Sequence, residues 1–358
     1  MPLVINFPSF LKPEIIPGLP VRWYGLMYLV AFAVAFVFYR RQLRERRFPL
    51  SEDGLSSLFC WSIFGLLLGA RLFSTLVYEP FGTNVYLQKP WLIFWPFRGG
   101  RFTGLQGMSY HGGFIGIMTG IFIWCRAKRY DVREITDMFA ASIPLGYTAG
   151  RIGNFINAEL YGRATAAPTG MLFPIPEYDS VNRFSAKLDW VREIAEKAGL
   201  PFDGASDILI NLPRHPSQLY EAFFEGIFLW TVIWLLRKKA PFKGFLTGVY
   251  IGGYGLVRFF IEYFREPDAD LGYRIQLGEI VPLSELAYRH PPLSFSTGQI
   301  LCVAMMLCAA LWLIIASRLP DSKRVYLIND DGGRGAQKTE SEKKADKNAR
   351  RKLRKKLR

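Results

Sequence analysis

The stretch GRIGNFINAELYGR, residues 150–163, sets Arg151, Asn154, Asn157, Glu159, Gly162 and Arg163 among aliphatic side chains, at the end of an otherwise apolar run. On a helix Arg151 and Asn154 are three apart and share a face, with Glu159 two turns on. Three other blocks carry comparable groups. YGLVRFFIE (254–262) spaces Tyr254, Arg258 and Glu262 at intervals of four, again one helical face. MSYHGG (108–113) places His111 before two glycines that permit close approach of a ligand or a neighbouring helix. RHPSQLYEA (214–222) gives His215, then Pro216 and Ser217 as helix-start signals, then Gln218, Tyr220 and Glu221 in the first turn. Two arginines with amide, phenol and imidazole donors suit a phosphate, because a guanidinium presents several N–H groups in a fixed planar fork. Glu159 and Glu262 are expected to orient the arginines or to hold a hydroxylated headgroup.

The elements that must position these groups are apolar blocks at 24–39, 58–78, 109–125, 135–154, 219–236, 245–264 and 298–317. A bilayer core of ~30 Å needs about 20 helical residues. The blocks therefore predict an all-α polytopic membrane protein with seven transmembrane helices, the first, third and fourth short or interrupted. Basic residues follow the first block (Arg40, Arg41, Arg44, Arg46, Arg47), the third (Arg126, Lys128, Arg129, Arg133) and the fifth (Arg237, Lys238, Lys239, Lys243), and collect again beyond the seventh. With simple alternation all of these fall on one side, which the positive-inside rule makes cytoplasmic. The expected topology has the N-terminus outside and the C-terminus cytoplasmic. The cluster RRQLRERR follows the first apolar run and no small-residue cleavage site comes after it, so that run reads as a retained span and not a signal peptide. Spans three and five then begin on the outer side and spans four and six end there, so the four polar clusters are expected at one depth in the outer half of the membrane. A buried arginine costs about 2.5–3.5 kcal/mol on insertion scales, which makes Arg151 and Arg258 functional candidates. Arg71, a single charge toward the outer end of span two, reads instead as a snorkelling or salt-bridged residue.

The organisation is one membrane domain, 1–317, with a large outer loop at 163–214 and a smaller one at 265–297. Within the large loop, SAKLDWVREIAEKAG (185–199) has helical periodicity and a glycine stop, so part of that loop is expected to fold. The smaller loop carries Pro267, Pro282, Pro291 and Pro292 and reads as irregular. A third outer stretch, 79–108, contains Trp91 and Trp95 flanked by Lys89 and Arg98, an expected interfacial anchor. The formal charge of +15 is concentrated in 318–358, where fifteen Lys or Arg face six Asp or Glu, leaving +6 for the rest. That basic tail is expected to be disordered, lying on anionic membrane lipids at about 1 kcal/mol per basic residue; no nucleic acid is expected. Cys60, Cys125, Cys302 and Cys308 lie in or at the end of apolar blocks without CxxC spacing and read as small buried hydrophobes. His111, His215 and His290 are far apart, so neither a metal site nor a cofactor is expected.

At these residues the chain resembles the bacterial prolipoprotein diacylglyceryl transferases. GRIGNFINAELYGR resembles that family's signature, GRxGNFxNxE followed by an aromatic, Gly and Arg. WYGLMY (23–28), YHGG (110–113), RHPSQLYE (214–221), GYGLVRFFIEYFREPD (253–268) and GQIL (298–301) follow in the family's order and spacing. The resemblance, over about residues 20 to 315, implies a multi-pass enzyme of the bacterial cytoplasmic (inner) membrane with its active site toward the outer side. It implies transfer of the diacylglyceryl group of phosphatidylglycerol to the lipobox cysteine of a preprolipoprotein signal peptide, with glycerol 1-phosphate leaving. By residue, it implies that Arg151 and Arg258 are essential, and that His111, Tyr24, Asn154, Glu159, Gly162, Tyr254 and Glu262 serve activity or lipid binding. Asn157 and His215, in the matched motifs, join them as expected substrate-binding residues. His111 is the first candidate for proton acceptor; the rival is that the field of the arginines lowers the thiol pKa and His111 only positions the headgroup. The insertion 269–293, which contains His290, and the tail beyond 317 lie outside the family core, and Glu266 stands before the proline of REPD where a neutral residue is more usual. Two other classes compete. A transporter for an anionic solute would line a whole helix face with polar groups, whereas span seven and the inner halves of spans three, five and six are almost wholly apolar. A lipid-binding scaffold without chemistry is separated only by an activity measurement.

Overall fold

The computed structural model describes residues 4–16, 22–78, 85–98, 100–102, 107–175, 182–200, 208–266 and 272–320. The tail expected to be disordered lies almost wholly outside the described residues, as do the side chains of Tyr24 and Arg98. The chain divides into two units, one made of Met1–Tyr39 and Asp137–Arg324, the other containing Arg40–Thr136. Each is described by itself. A short strand β1 (Ile5–Asn6) precedes α1 (Trp23–Arg46), a helix apolar on all sides until its last turns, where Arg44 and Arg46 suit the negative end of the helix dipole.

In the second unit α2 (Glu52–Leu76) starts at Ser51, whose hydroxyl accepts the Gly54 N–H, with Glu52 and Asp53 in the first turn. A short helix α3 (Val85–Gln88), a 3-10 turn at Pro90–Phe94 and the hairpin β2 (Phe97–Arg98) with β3 (Arg101–Phe102) lead to α4 (Tyr110–Lys128). Trp91 and Trp95 on that 3-10 segment are exposed. α2 and α4 pack through glycines: a Cβ at Gly116 would lie 2.0 Å from the Gly65 carbonyl oxygen, and one at Gly112 would lie 2.2 Å from the Phe73 Cβ. Only residues without side chains allow such an approach, the way helices associate where lipid supplies no hydrophobic drive. Arg71 is buried; its Nε donates to the Ile93 carbonyl and its Nη1 to the Gly107 carbonyl at 3.1 Å. It is a staple for the connecting segment, which corrects the snorkelling reading.

In the first unit the fourth apolar block forms two short helices, α5 (Val132–Ala140) and α6 (Ile143–Ile156). Pro144 sits in the first turn of α6, where its missing N–H costs nothing. The strand β4 (Met171–Leu172) pairs in parallel with β1. Part of the large loop folds, as expected: β5 (Phe184–Ser185) pairs with β6 (Leu209–Ile210), and α7 (Asp189–Ala198) ends at Gly199 with a φ of 67°. Trp190, Val191, Ile194 and Leu212 form its core together with Ala287 of the smaller loop. A continuous helical run, Ser217–Leu236, comprises α8 (Ser217–Glu221), a π-helical stretch (Ala222–Phe228) and α9 (Leu229–Leu236). α10 (Phe245–Ile261) receives its cap from α5, since Asp137 accepts from Gly244 N at 3.0 Å, Thr247 N at 2.8 Å and the Thr247 hydroxyl at 2.8 Å. β7 (Tyr273–Gln276) pairs with β8 (Ser294–Ser296) ahead of α11 (Thr297–Arg318), so the smaller loop holds an antiparallel ladder and is not irregular throughout.

Each apolar block is helical over most of its length. Among the described residues four helices, Gly25–Arg46, Glu52–Leu76, Ser217–Leu236 and Thr297–Arg318, are long and apolar enough to cross a membrane; Phe245–Ile261 is apolar but shorter. Cys125 and Cys302 are buried, whereas Cys60 and Cys308 are exposed. The expectation of four buried thiols fails for the latter two because they sit on outward faces of α2 and α11.

Candidate active site

Glu221 closes α8 with its carboxylate fully buried. Oε2 lies 2.9 Å from Arg151 Nε of α6 and 3.2 Å from Arg258 Nη1 of α10, and Oε1 lies 2.7 Å from Arg265 Nη1. One turn further, Glu225 Oε1 lies 3.5 Å from Arg258 Nη1. Its Oε2 accepts the Tyr147 hydroxyl, whose oxygen in turn accepts Arg151 Nε at 2.6 Å. Glu262 Oε2 lies 3.3 Å from Arg258 Nη2, as the i,i+4 spacing predicts, and 3.8 Å from Arg265 Nε. Glu262 Oε1 accepts the Ser296 hydroxyl at 3.1 Å. The GQIL block serves this carboxylate. A Cβ at Gly298 would stand 2.6 Å from Glu262 Oε1, and Gln299 closes a capping box with Ser296.

Local backbone makes the arrangement possible. The π-helical stretch shifts the hydrogen-bond ladder, and the Thr148 hydroxyl of α6 donates to the Ala222 carbonyl at 3.1 Å. Gly226 admits that threonine, for a Cβ there would meet Thr148 Oγ1 at 2.0 Å. Such π-stretches gather at functional sites because they redirect side chains within an otherwise regular helix. The glutamates are 0% exposed at Glu221 and Glu225, while Arg151, Arg258 and Arg265 keep 17–20% of their side-chain surface open. The carboxylates of Glu221 and Glu225 are covered, and what open surface the cluster has belongs to the arginine side chains.

The signature loop after α6 is held by three segments. Asn154 donates to Glu159 Oε1 at 2.9 Å and Asn157 donates to the same oxygen at 3.3 Å, so Glu159 orders its own loop and not the arginines; the other expected role, holding a hydroxylated headgroup, belongs to the same carboxylate. Ala158 and Leu160 sit at φ of 52° and 57°, strained for residues with a Cβ. Gln218 donates to the Glu159 carbonyl at 2.7 Å and Ser217 to that of Leu160 at 3.2 Å, which fixes this turn. Gly162 N donates to the His215 carbonyl at 2.8 Å and Arg163 N to the Phe264 carbonyl at 2.9 Å. A Cβ at Gly162 would lie 2.1 Å from the Phe264 oxygen, so this glycine lets two chains touch. His215 rests against the rings of Tyr220 and Phe264, and burial, then Arg163, lowers its pKa to about 4.

Two features that the sequence set apart from the family pattern become intelligible here. Buried Arg214 lies between the Tyr161 and Phe184 rings and pairs through Nη1 with Glu266 Oε2 at 2.5 Å, which accounts for the acidic residue in REPD. Arg163, also buried, donates to the Tyr263 and Leu286 carbonyls and meets His290 Nδ1 at 3.2 Å, so the 269–293 insertion closes over it. The His290 ring stacks on Tyr263 with centroids 4.3 Å apart, and burial, then Arg163, lowers its pKa to about 4.

The structure thus brings Arg151, Arg258 and Glu262 together, with Tyr254 against the Tyr147 ring at 6.1 Å. It sets Asn154, Asn157, Glu159, Gly162 and His215 in the adjoining loop. His111 belongs to the other unit, where its Nδ1 lies 2.9 Å from the Tyr78 hydroxyl, and Tyr24 lies in α1. Sequence reasoning assigned no role to Glu225, Tyr147 or Arg265, and saw Glu221 only as a first-turn residue. Their signal was spacing: Glu221 and Glu225 are four apart inside an apolar block, and Tyr147 is four before Arg151. Among the described residues no group of three or more His, Cys, Asp or Glu suits a metal ion.

The family model of prolipoprotein diacylglyceryl transferase matches residues 13–315. The phosphatidylglycerol–prolipoprotein diacylglyceryl transferase of Treponema denticola is 53% identical over 330 residues, 88% of this chain and 95% of that protein. The protein of the same name from Treponema pallidum is 50% identical over 319 residues (85% and 93%), and that from Chlorobaculum tepidum 37% identical over 319 residues (87% and 92%). Apolar helices of spanning length and this likeness together make the chain a membrane-embedded protein. Because the match runs through every element that contributes to the Glu221 cluster and its signature loop, the chain belongs to the prolipoprotein diacylglyceryl transferase family.

Proposed function

We propose that this chain transfers the diacylglyceryl group of phosphatidylglycerol to the lipobox cysteine of preprolipoproteins, the first step of lipoprotein maturation. The observation that carries the reading is the pair Arg151 and Arg258, both within 3.2 Å of buried Glu221 and each with 17–18% of its side-chain surface exposed. Arg151 meets Tyr147 and Glu221 through Nε, and its terminal nitrogens are the ones offered to a phosphate oxygen. The cysteine sulfur attacks the glyceryl carbon; the C–S bond forms as the C–O bond to phosphate breaks, and glycerol 1-phosphate leaves as the monoester. Charge grows on the phosphate, so guanidiniums fixed in advance stabilise the transition state more than the ground state. A thiol of ordinary pKa near 8.5 is only a few per cent ionised at neutral pH, and His111 is the first candidate to take its proton; the rival is that the field of the arginines lowers the thiol pKa and His111 only positions the headgroup. Tyr24, Asn154, Asn157, Glu159, Gly162, His215, Tyr254 and Glu262 shape the lipid site.

The same reading gives seven spans, the N-terminus outside, the active site toward the outer face of the bacterial cytoplasmic membrane, and a basic tail on anionic cytoplasmic lipid. The folded loop at 163–214 is the expected contact for the signal peptide. The balance of three arginines against three glutamates is the observation that favours a lipid-binding fold without chemistry. Release of glycerol phosphate by the purified protein, given phosphatidylglycerol and a lipobox peptide, separates the two. The transferase requires release that depends on both the peptide cysteine and Arg258, with Arg258→Ala and a Cys-to-Ser peptide silent. No release from folded wild-type protein leaves the scaffold. A His111→Gln variant that keeps most of its turnover would remove His111 from the chemical step.

A further inference from the structure

Glu225 lies one turn below Glu221 and touches no open surface. It reaches Arg151 only through another side chain. The Tyr147 oxygen accepts Arg151 Nε at 2.6 Å, so the single phenolic proton must find an acceptor elsewhere, and Glu225 Oε2 is that acceptor. The Arg151 guanidinium carbon also stands 4.8 Å from the centre of the Tyr147 ring, so the arginine rests on the ring face as well as on its hydroxyl. The other Glu225 oxygen looks toward Arg258 Nη1 at 3.5 Å without an aligned hydrogen bond. Both oxygens therefore face donors. A carboxylate satisfies two donors; a glutamine amide, with one acceptor and one donor end, must place its NH2 against either the phenol or the guanidinium.

We propose that Glu225 is a positioning residue for the transfer reaction, acting through the Tyr147 hydroxyl to fix the guanidinium of Arg151. Glu221 Oε2 lies 2.9 Å from the same Nε as an ion pair, while the single Nε–H goes to the phenol, so one wall of the Arg151 seat supplies charge and the second supplies a directed bond. Glu221 alone sets the distance of the guanidinium; the phenol and Glu225 set its rotation about the Nε contact. Loss of the second wall leaves the positive charge in place and frees its orientation. That loss falls on the transition state, in which the phosphate oxygens need donors in a fixed geometry, and spares lipid capture.

The inference rests on the transferase reading, and the test keeps the two apart. Full-length Glu225→Gln, Tyr147→Phe and the double variant are assayed for glycerol phosphate release, with kcat and KM for phosphatidylglycerol measured beside the thermal midpoint. Each single variant is expected to lose about 10- to 100-fold in kcat, the scale of a misplaced reacting group, with KM within about threefold of wild type. Because both act through one contact, the double variant is expected to be no slower than the slower single variant. Tyr147→Phe removes one oxygen from an intact ring, so it carries the test should Glu225→Gln fold poorly. Wild-type kcat in Tyr147→Phe, losses that multiply in the double variant, or a raised KM with unchanged kcat would each overturn the assignment. Silence of the wild-type protein would instead refute the transferase reading itself.

Discussion

Replacing Glu221 by Gln preserves shape and removes one charge, and the consequence can be worked from the contacts. The carboxylate meets Arg151 Nε at 2.9 Å, Arg258 Nη1 at 3.2 Å and Arg265 Nη1 at 2.7 Å, all three of them donors. The amide must turn its NH2 toward at least one guanidinium. With charge centres at about 4 Å, each attraction is worth about 4 kcal/mol gross at an effective dielectric of 20. Against this stand the desolvation of the carboxylate, several kcal/mol, and its repulsion of Glu225, which the substitution relieves. Breaking a buried ion network by removing one partner leaves a net loss of about 3–5 kcal/mol. At roughly 2–4 °C per kcal/mol for a larger domain, the thermal midpoint followed by tryptophan fluorescence in detergent should fall by about 6–20 °C. On the proposed reaction turnover should fall with it, by about 100-fold or more, because Arg151 and Arg258 lose their common anion. Adding Arg265→Gln restores the charge balance and gives the two amides complementary donor and acceptor ends. Part of the midpoint should return while turnover stays low, since Arg151 and Arg258 still lack their carboxylate. A Glu221→Gln protein melting within about 2 °C of wild type would refute the claim that Glu221 holds the cluster together.

Gly162→Ala places a Cβ 2.1 Å from the Phe264 carbonyl oxygen, a backbone atom that a rotamer change does not move aside. The overpacking should cost about 1–3 kcal/mol or more and lower both midpoint and turnover; an unchanged melt would contradict the close approach of these chains. The two buried histidines predict a pH dependence. His215 and His290 have folded pKa values of about 4 against an ordinary 6.5, so the unfolded chain takes up protons first as the pH falls. Their contribution is fully present above about pH 6.5 and is lost progressively toward pH 4. Hydrogen exchange should show residues 285–296 losing protection over that window. His290→Asn, which keeps one acceptor and one donor without titrating, should weaken the loss and leave the part that His215 contributes. A pH-independent exchange profile in the wild-type protein would refute the assignment.

What was legible in the sequence was periodic. Apolar blocks, the i,i+4 ladder of Tyr254, Arg258 and Glu262, and the Gly199 stop of α7 all have a local physical cause, and each appears in the structure as helix, shared face or cap. What escaped was set by partners distant in the chain. Nothing near Glu159 says that Asn154 and Asn157 will claim its carboxylate and leave the arginines to Glu221, sixty-odd residues on. The fourth apolar block was read as one interrupted span; the structure breaks it at Ala141–Ser142 into two helices, and nothing local says that Asp137 of the first will cap α10, 107 residues on. The proline-rich loop hid the β7–β8 ladder because its strands are only four and three residues long. Glu266 and His290 looked like accessory features until Arg214 and Arg163 supplied the donors they accept.

A cluster with as many carboxylates as guanidiniums does not recruit a phosphate by net charge. Its selectivity has to come from where the charges sit. Glu221 and Glu225 are wholly covered while Arg151, Arg258 and Arg265 each keep about a fifth of their side-chain surface open, so an approaching group meets the arginine side chains and not these two carboxylates. Burial of the anions also prevents them from competing for a lipid hydroxyl or a protonated amine, while their attraction holds the arginines against the entropy of long side chains. The arrangement therefore favours a group that gains negative charge during reaction over one that is merely anionic at the start, since donors already fixed need not reorganise when that charge appears. For a phosphodiester that becomes a monoester, this is the asymmetry that separates turnover from binding, and it explains why the substitutions most telling for the proposed reaction are those of the buried glutamates that the substrate never touches.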